Sequence, residues 1–299
     1  MTQGAPALSR LTVHLLLIAA QLCFASLAVV GRMAVVAHVP PAGIVLVRMV
    51  GGALVFALIA RARGVLRIER RDLRLFILCA VLGVVLNQEL FIHGLARTAA
   101  TNAVVLGSTI PVFTALFSIA LGYEPWSRWR VAGIAVAFIG CLVLVGPDEL
   151  SLSSSHLVGS VMVLANAASY GLYLALARKI AGRYDPWAIV AVLFLIGVPL
   201  VTPLGVVAWS TAPPLTGTTL AFLGFLVAVP TVAAYSLVQI GLRHAESSLV
   251  ASYIYLQPVF TTIGATLLLD EPPGGQTLVA ASIVLAGVWI SAQAKAAVG

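Results

Sequence analysis

The chain is 299 residues long, 61% hydrophobic and 9% charged, with a mean hydropathy of +1.08. A soluble domain carries about 25% charged residues, so charge this sparse leaves most of a globule's surface without polar cover. That excludes a soluble enzyme, a nucleic-acid-binding domain and a disordered tail, and leaves the net charge of +7 to be explained by where the basic residues fall.

Apolar runs of about 20 residues, the length that crosses a bilayer's hydrocarbon, recur between boundaries rich in Arg, Pro, Gly and acids. The first, 11–30, follows Arg10 but has no small-residue cleavage site, so it is expected to remain as a helix. Gln21 lies at its middle. The second, 42–60, follows Pro40-Pro41 and carries Arg48, which is placed either to pair with Glu89 or to reach the outer headgroups. The third, 73–92, holds the most polar patch of any span, Asn87-Gln88-Glu89 with His93. Glu89 and His93 stand four residues apart, on one helical face, and fit either proton coupling or a structural role near the outer vestibule.

The fourth run, 98–121, has Ser108 and Thr109 just ahead of Pro111, and Glu124-Pro125 follows it. The fifth, 130–146, shows a small-residue face of Gly133, Ala137 and Gly140, suited to close helix packing or to a weak dimer contact. After the polar stretch 147–156, the sixth run, 157–177, carries Asn166 at a depth similar to that of Gln21. The seventh is 187–209, with Trp187 and Trp209 at its ends, and the eighth, 218–241, has Pro230, Thr231, Tyr235 and Gln239, the last three on one face. In the ninth, 247–269, Tyr253, Tyr255 and Gln257 precede Pro258. Tyr253 and Tyr255 point to different faces, so at most one is expected in a cavity. The tenth is 276–294.

Of the 17 Lys and Arg, 14 fall on the side shared by both termini, two on the other side, and Arg48 within a span. Basic residues favour the cytoplasmic face, so both termini are expected there. The positive charge is a topology signal, with no nucleic-acid partner implied.

Shifting the chain by 147 residues sets Pro111-Val112-Phe113-Thr114 on Pro258-Val259-Phe260-Thr261, and Glu124-Pro125 on Glu271-Pro272. A shift of 146 sets Phe24 on Tyr170, Arg32 on Arg178 and Pro40 on Pro186. The expected fold is therefore an all-α polytopic membrane protein of ten transmembrane helices, built as two inverted five-helix repeats. Its expected parts are a cytoplasmic tail (1–10), a first repeat (11–146), an external linker (147–156), a second repeat (157–295) and a cytoplasmic tail (296–299). Inverted repeats of an odd number of spans suit alternating access about an axis in the membrane plane.

Polar groups that persist in hydrocarbon usually meet a cavity or a partner. On that ground Gln21, Thr109, Asn166, Tyr235, Tyr253 and Gln257 are the candidate substrate-binding residues. Pro111 and Pro258 are the candidate hinges, because each removes a backbone hydrogen bond and frees a carbonyl. Glu89 and His93 are the candidates for proton coupling. Interhelical bonding, back-bonding to the residue's own helix and packing account for the same residues without a ligand. Cys23, Cys79 and Cys141 show no paired spacing, and no phosphate-cradling loop or HExxH pattern occurs. No cofactor, metal or catalytic residue is expected.

The span number, the duplicated unit, Pro111 with Glu124-Pro125 and Pro258 with Glu271-Pro272, Arg48, and the basic residue closing the first span (Arg32, echoed by Arg178-Lys179) resemble the EamA-type members of the drug/metabolite transporter superfamily. Within that family the chain is most similar to the YddG-type bacterial amino-acid exporters. The family's usual Trp-Gly of the first span is Phe24-Ala25 here. The resemblance implies export of small metabolites, amino acids foremost, without ATP, through the bacterial inner membrane by a monomer or weak dimer. A non-transporting scaffold or sensor, or a lipid flippase, has the same outline in sequence.

Overall fold

The computed structural model describes residues 8–97, 106–145, 154–269 and 275–292. All regular structure among them is helical. The helical rods are α1 (Arg10–Val36), α2 (Pro41–Ala62), α3 (Arg70–Leu95), α4 (Ile110–Ala120), α5 (Arg128–Val145), α6 (Ser154–Ala181), α7 (Pro186–Ser210), α8 (Gly217–His244), α9 (247–269) and α10 (Gly275–Ala292). Six of them, α1, α2, α3, α6, α7 and α8, are long and apolar enough to cross a membrane.

Local chemistry sets the ends of these rods. The Ser9 hydroxyl accepts from Thr12 N at 3.1 Å to start α1, and Asp185 accepts from Trp187 N at 2.9 Å to start α7, two N-caps of the ordinary kind. Thr216 and Thr219 close a capping box on α8. Pro41 and Pro186 occupy first-turn positions, where the missing N–H costs nothing. Gly64 and Gly122 leave the ends of α2 and α4 at φ of +66° and +67°, a left-handed turn that a side chain resists.

Three rods are irregular in the middle or at the start. Each of α3 and α8 contains a π-helical turn, Val81–Leu86 and Ala228–Ala233 respectively, and these positions differ by the 147 residues of the repeat shift. In α9 the α-helix Ser247–Ser252 passes through a tight turn, Tyr253–Tyr255, into Leu256–Leu269. Pro111 falls in the first turn of α4, directly after a break at Ser108-Thr109. Pro258 likewise follows the tight turn in α9. The two prolines therefore stand just past helix breaks, where they restart a helix, and do not kink a continuous one.

Packing is preserved when the two halves are exchanged. The rods α2 and α7, which are repeat mates, lie against each other, as do α5 and α10. The pair α4–α6 maps onto α9–α1, and α3–α6 maps onto α8–α1; all four contacts are present. Small residues let the backbones approach. A Cβ on Gly133 would lie 2.4 Å from Ser291 N, and one on Gly287 would lie 2.4 Å from Ala137 N. The small face of α5 thus packs against α10 within the chain. Large apolar side chains such as Leu58, Val207, Leu267 and Trp289 stand outward and exposed, a girdle suited to lipid and unsuited to water.

Candidate functional site

A central cavity of about 930 Å³, counted out to its open mouth, lies between α1, α2, α3, α4, α6, α8 and α9. Its lining follows the repeat. Phe24 and Tyr170, Ala28 and Leu174, Gln88 and Tyr235, Phe91 and Val238, Gly107 and Ile254, and Ile110 and Gln257 all line it. Each is a pair of residues related by the 146- or 147-residue shift. The two halves thus supply matching positions to much of the wall.

The π-helical turns lie just ahead of the lining residues Asn87 of α3 and Tyr235 of α8. A π turn leaves carbonyls without their usual partner, and here side chains from other rods take them up. Ser169 donates to Leu82 O at 2.9 Å and Tyr235 to Gly83 O at 3.3 Å. Gly83 has no alternative, because a Cβ there would lie 2.2 Å from the Tyr173 ring. In α8, Pro230 lacks an N–H, and Thr231 donates to Leu226 O at 2.7 Å. Tyr235 is fixed further by Asn87 Oδ1 at 3.2 Å and by edge-to-face contacts with Phe24 and Phe194, at centroid separations of 5.6 and 5.1 Å.

Amide side chains bridge the halves across the cavity wall. Gln257 donates to Gln21 Oε1 at 2.7 Å, tying α9 to α1. Asn166 donates to Asn87 O at 2.7 Å, tying α6 to α3. Several lining groups have no partner among the described residues: Nη1 of Arg48, both amide atoms of Gln88, and the Tyr170 hydroxyl. Arg48 is 1% exposed, and its Nε donates to Thr231 Oγ1 at 2.9 Å.

Of the residues singled out in the sequence, Gln21, Asn166, Tyr235, Gln257 and Pro258 line the cavity. Thr109 and Pro111 do not; the Thr109 hydroxyl turns back to Leu106 O at 2.5 Å. Tyr253 also lies off the lining, where its hydroxyl bonds the His14 ring, and Ile254 takes the cavity position between Tyr253 and Tyr255. Glu89 and His93 pair with each other at 3.2 Å outside the lining. Arg48 meets neither Glu89 nor the headgroup region: it is buried against the π turn of α8. Sequence reasoning passed over Arg48, Gln88 and Tyr170 as site residues. The repeat shift was the signal for two of them, since it sets Gln88 on Tyr235 and Tyr170 on Phe24.

Ion pairs join the rods at the Arg-rich end of the bundle. Glu124, buried at 5% exposure, accepts from Arg130 Nη1 at 2.9 Å and from Ser248 N at 3.2 Å, and lies 3.8 Å from Arg178. Arg130 also pairs with Glu246. A second cluster joins Asp72 to Arg183 at 2.9 Å and to the Tyr184 hydroxyl at 2.5 Å. The repeat mate of Glu124-Pro125, Glu271-Pro272, lies outside the described residues.

The sequence itself matches the model of the EamA-like transporter family twice, over residues 11–146 and 157–293. The chain belongs to the EamA-like transporter family. It is a multi-pass membrane transporter and not an enzyme. It is 32% identical, over 71% of its length and 73% of the relative's, to an uncharacterized transporter of Archaeoglobus fulgidus. It is 27% identical, over 83% of both chains, to a probable terminal-alkyne amino-acid exporter of Streptantibioticus cattleyicolor. A probable amino-acid metabolite efflux pump of Salmonella typhimurium shares 29% identity over 62% of this chain and 66% of its own. A solved crystal structure shares the fold, with a TM-score of 0.81 over 97% of this chain and 100% of that chain, at 21% identity.

Proposed function

We propose that the protein is a secondary transporter that exports small metabolites, amino acids foremost, across the bacterial inner membrane. In this reading ten spans form two inverted five-helix repeats, 11–146 and 157–295, joined by the external linker 147–156, with both termini cytoplasmic. Cargo binds in the central cavity, against Gln21, Asn166, Tyr235 and Gln257, and access alternates between the two sides. The observation that carries the reading is the lining built from repeat-related pairs. A cavity with equivalent walls from two inverted halves meets either side in the same way once the halves exchange conformations. The ions at the Arg-rich end fit an outward-facing state, with the cytoplasmic end closed.

The test is flux in proteoliposomes holding the purified full chain, with labelled amino acids and with or without a pH gradient. Saturable flux is expected, and Gln257→Ala is expected to reduce it sharply by breaking the 2.7 Å bridge to Gln21. No flux for any metabolite class by correctly folded protein overturns the reading. Glu89 and His93 are assigned to proton coupling. Glu89→Gln is then expected to abolish the response to the pH gradient, and an unchanged response removes the pair from the mechanism.

A further inference from the structure

We infer that Arg48 is the anion subsite of the cavity, and that the cargo therefore carries a carboxylate or an equivalent acidic group. The inference rests on reading the cavity as a cargo site and names the chemistry that site selects. Arg48 is 1% exposed, lines the cavity and keeps Nη1 without a partner. A guanidinium remains charged in proteins, and an uncompensated charge inside a membrane protein is costly unless a counter-charge or water reaches it.

No acid of the described residues serves Arg48. Glu69 is paired with Arg71, Asp72 with Arg183, Glu89 with His93, Glu124 and Glu246 with Arg130, and Asp185 with Arg63. The cavity wall thus holds a fixed positive charge, neutral amide and phenol groups, and apolar surface, with no acid among its lining residues. Such a site attracts anions and zwitterions through the acid end and repels simple cations.

The guanidinium is also held in place. Its Nε is anchored on Thr231 Oγ1 at 2.9 Å, and Thr231, in the π turn, is anchored in turn on Leu226 O at 2.7 Å, one turn back along α8. Arginine presents a rigid fork of donors that matches a carboxylate, and fixing one arm of the fork lowers the entropy lost when the other arm binds. The unpartnered Gln88 amide and Tyr170 hydroxyl supply neutral hydrogen bonds for other parts of the cargo. The repeat mate of Arg48 under the 146-residue shift is Phe194, which does not line the cavity, so the charge comes from one half alone.

The experiment compares matched probes on the purified full chain: L-phenylalanine, L-phenylalaninamide, 3-phenylpropionate and phenethylamine, with L-leucine, leucinamide and 4-methylpentanoate as an aliphatic series. Binding is read by thermal stabilisation in detergent across a concentration range. The carboxylates of at least one series are expected to stabilise the wild type, and the carboxamides and the amine to do so at least about tenfold more weakly, as loss of a charge-assisted bond implies. Arg48→Gln is expected to erase this preference, and Arg48→Lys to keep the preference for acids with reduced affinity. The mobility of each variant on size-exclusion chromatography reports its fold.

Equal stabilisation by acid and amide, stabilisation by the amine alone, no stabilisation by any acid, or an acid preference that survives Arg48→Gln overturns the inference. If Arg48→Gln fails to fold, the wild-type and Arg48→Lys comparison of acid with amide decides it. Failure of the transporter reading looks different: acids bind and Arg48→Gln abolishes the preference, yet proteoliposomes pass no solute. Flux of solutes that lack an acid group sinks the subsite alone.

Discussion

Tyr184 and Tyr235 show how much a phenol's surroundings decide its role. Tyr235 sits fully buried between two aromatic rings and two oxygen acceptors, which makes it a fixed wall of the cavity. Tyr184 sits in the turn between α6 and α7, where it donates to Asp72 Oδ2 at 2.5 Å. Partial burial, and then the bond to this carboxylate, hold its phenol above the ordinary value. A group whose folded-state value is raised contributes stability that is complete below its unfolded value and is lost as pH rises through the folded one. The wild type is therefore expected to lose stability above about pH 10, the ordinary phenol value, more steeply than Tyr184→Phe. Thermal unfolding of both proteins in detergent between neutral and strongly alkaline pH checks this, and parallel curves refute it.

Helix pairs built on glycine decide what the elements can do. On α5 and α10, Gly133, Gly140 and Gly287 bring backbones so close that a Cβ on Gly140 would lie 2.8 Å from Val284 N. Gly140→Val should separate the pair, with an overpacking cost of about 1–3 kcal/mol. A lower melting temperature with an unchanged particle mass by light scattering is the expected outcome, because this face serves the chain's own fold. A change of mass with an unchanged melting temperature shows instead that the face holds two copies together. At this scale the sequence was legible where physics leaves a periodic trace. Apolar runs marked the rods, and Pro111 and Pro258 marked breaks, although as points where a helix restarts. The π turns were not legible, since Val81–Leu86 differs in composition little from the helix on either side; its register is set by the Tyr173 ring against Gly83 and by Ser169 on Leu82 O. Arg48 was read from its depth alone, which suits either snorkelling or burial, and only the placement of α8 against α2 distinguishes them. Thr109 and Tyr253 are polar groups in apolar surroundings, a criterion equally met by side chains that bond their own helix or a neighbour, as both do.

At the scale of the whole molecule, the alternating access proposed above requires the Arg-rich end to open while the other end closes. Glu124 is the contact that opening must break, since it links the α4–α5 turn to Arg130, to the start of α9 through Ser248 N, and to Arg178 at the end of α6. Removing one member of a buried ion pair costs about 3–5 kcal/mol. Where the cost falls on the closed state alone, it moves the balance toward the open one, and a shift of about 1.4 kcal/mol is already tenfold in population. Glu124→Gln keeps an oxygen to accept from Ser248 N and removes only the charge, so the fold is expected to survive while the closed state weakens. Val250 lines the cavity near this end and is 1% exposed, which makes it a reporter. With Cys23, Cys79 and Cys141 replaced by alanine, a Val250→Cys probe should react with a membrane-impermeant thiol reagent applied from the Arg-rich side. The rate is expected to rise about tenfold or more when Glu124→Gln is added. Glu246→Gln should act in the same direction but less, because Glu246 is more exposed than Glu124 and its pair with Arg130 is better screened. An unchanged rate in Glu124→Gln, in protein that retains its elution volume, shows that the gate lies elsewhere, and a lowered melting temperature with it marks the cluster as a static brace.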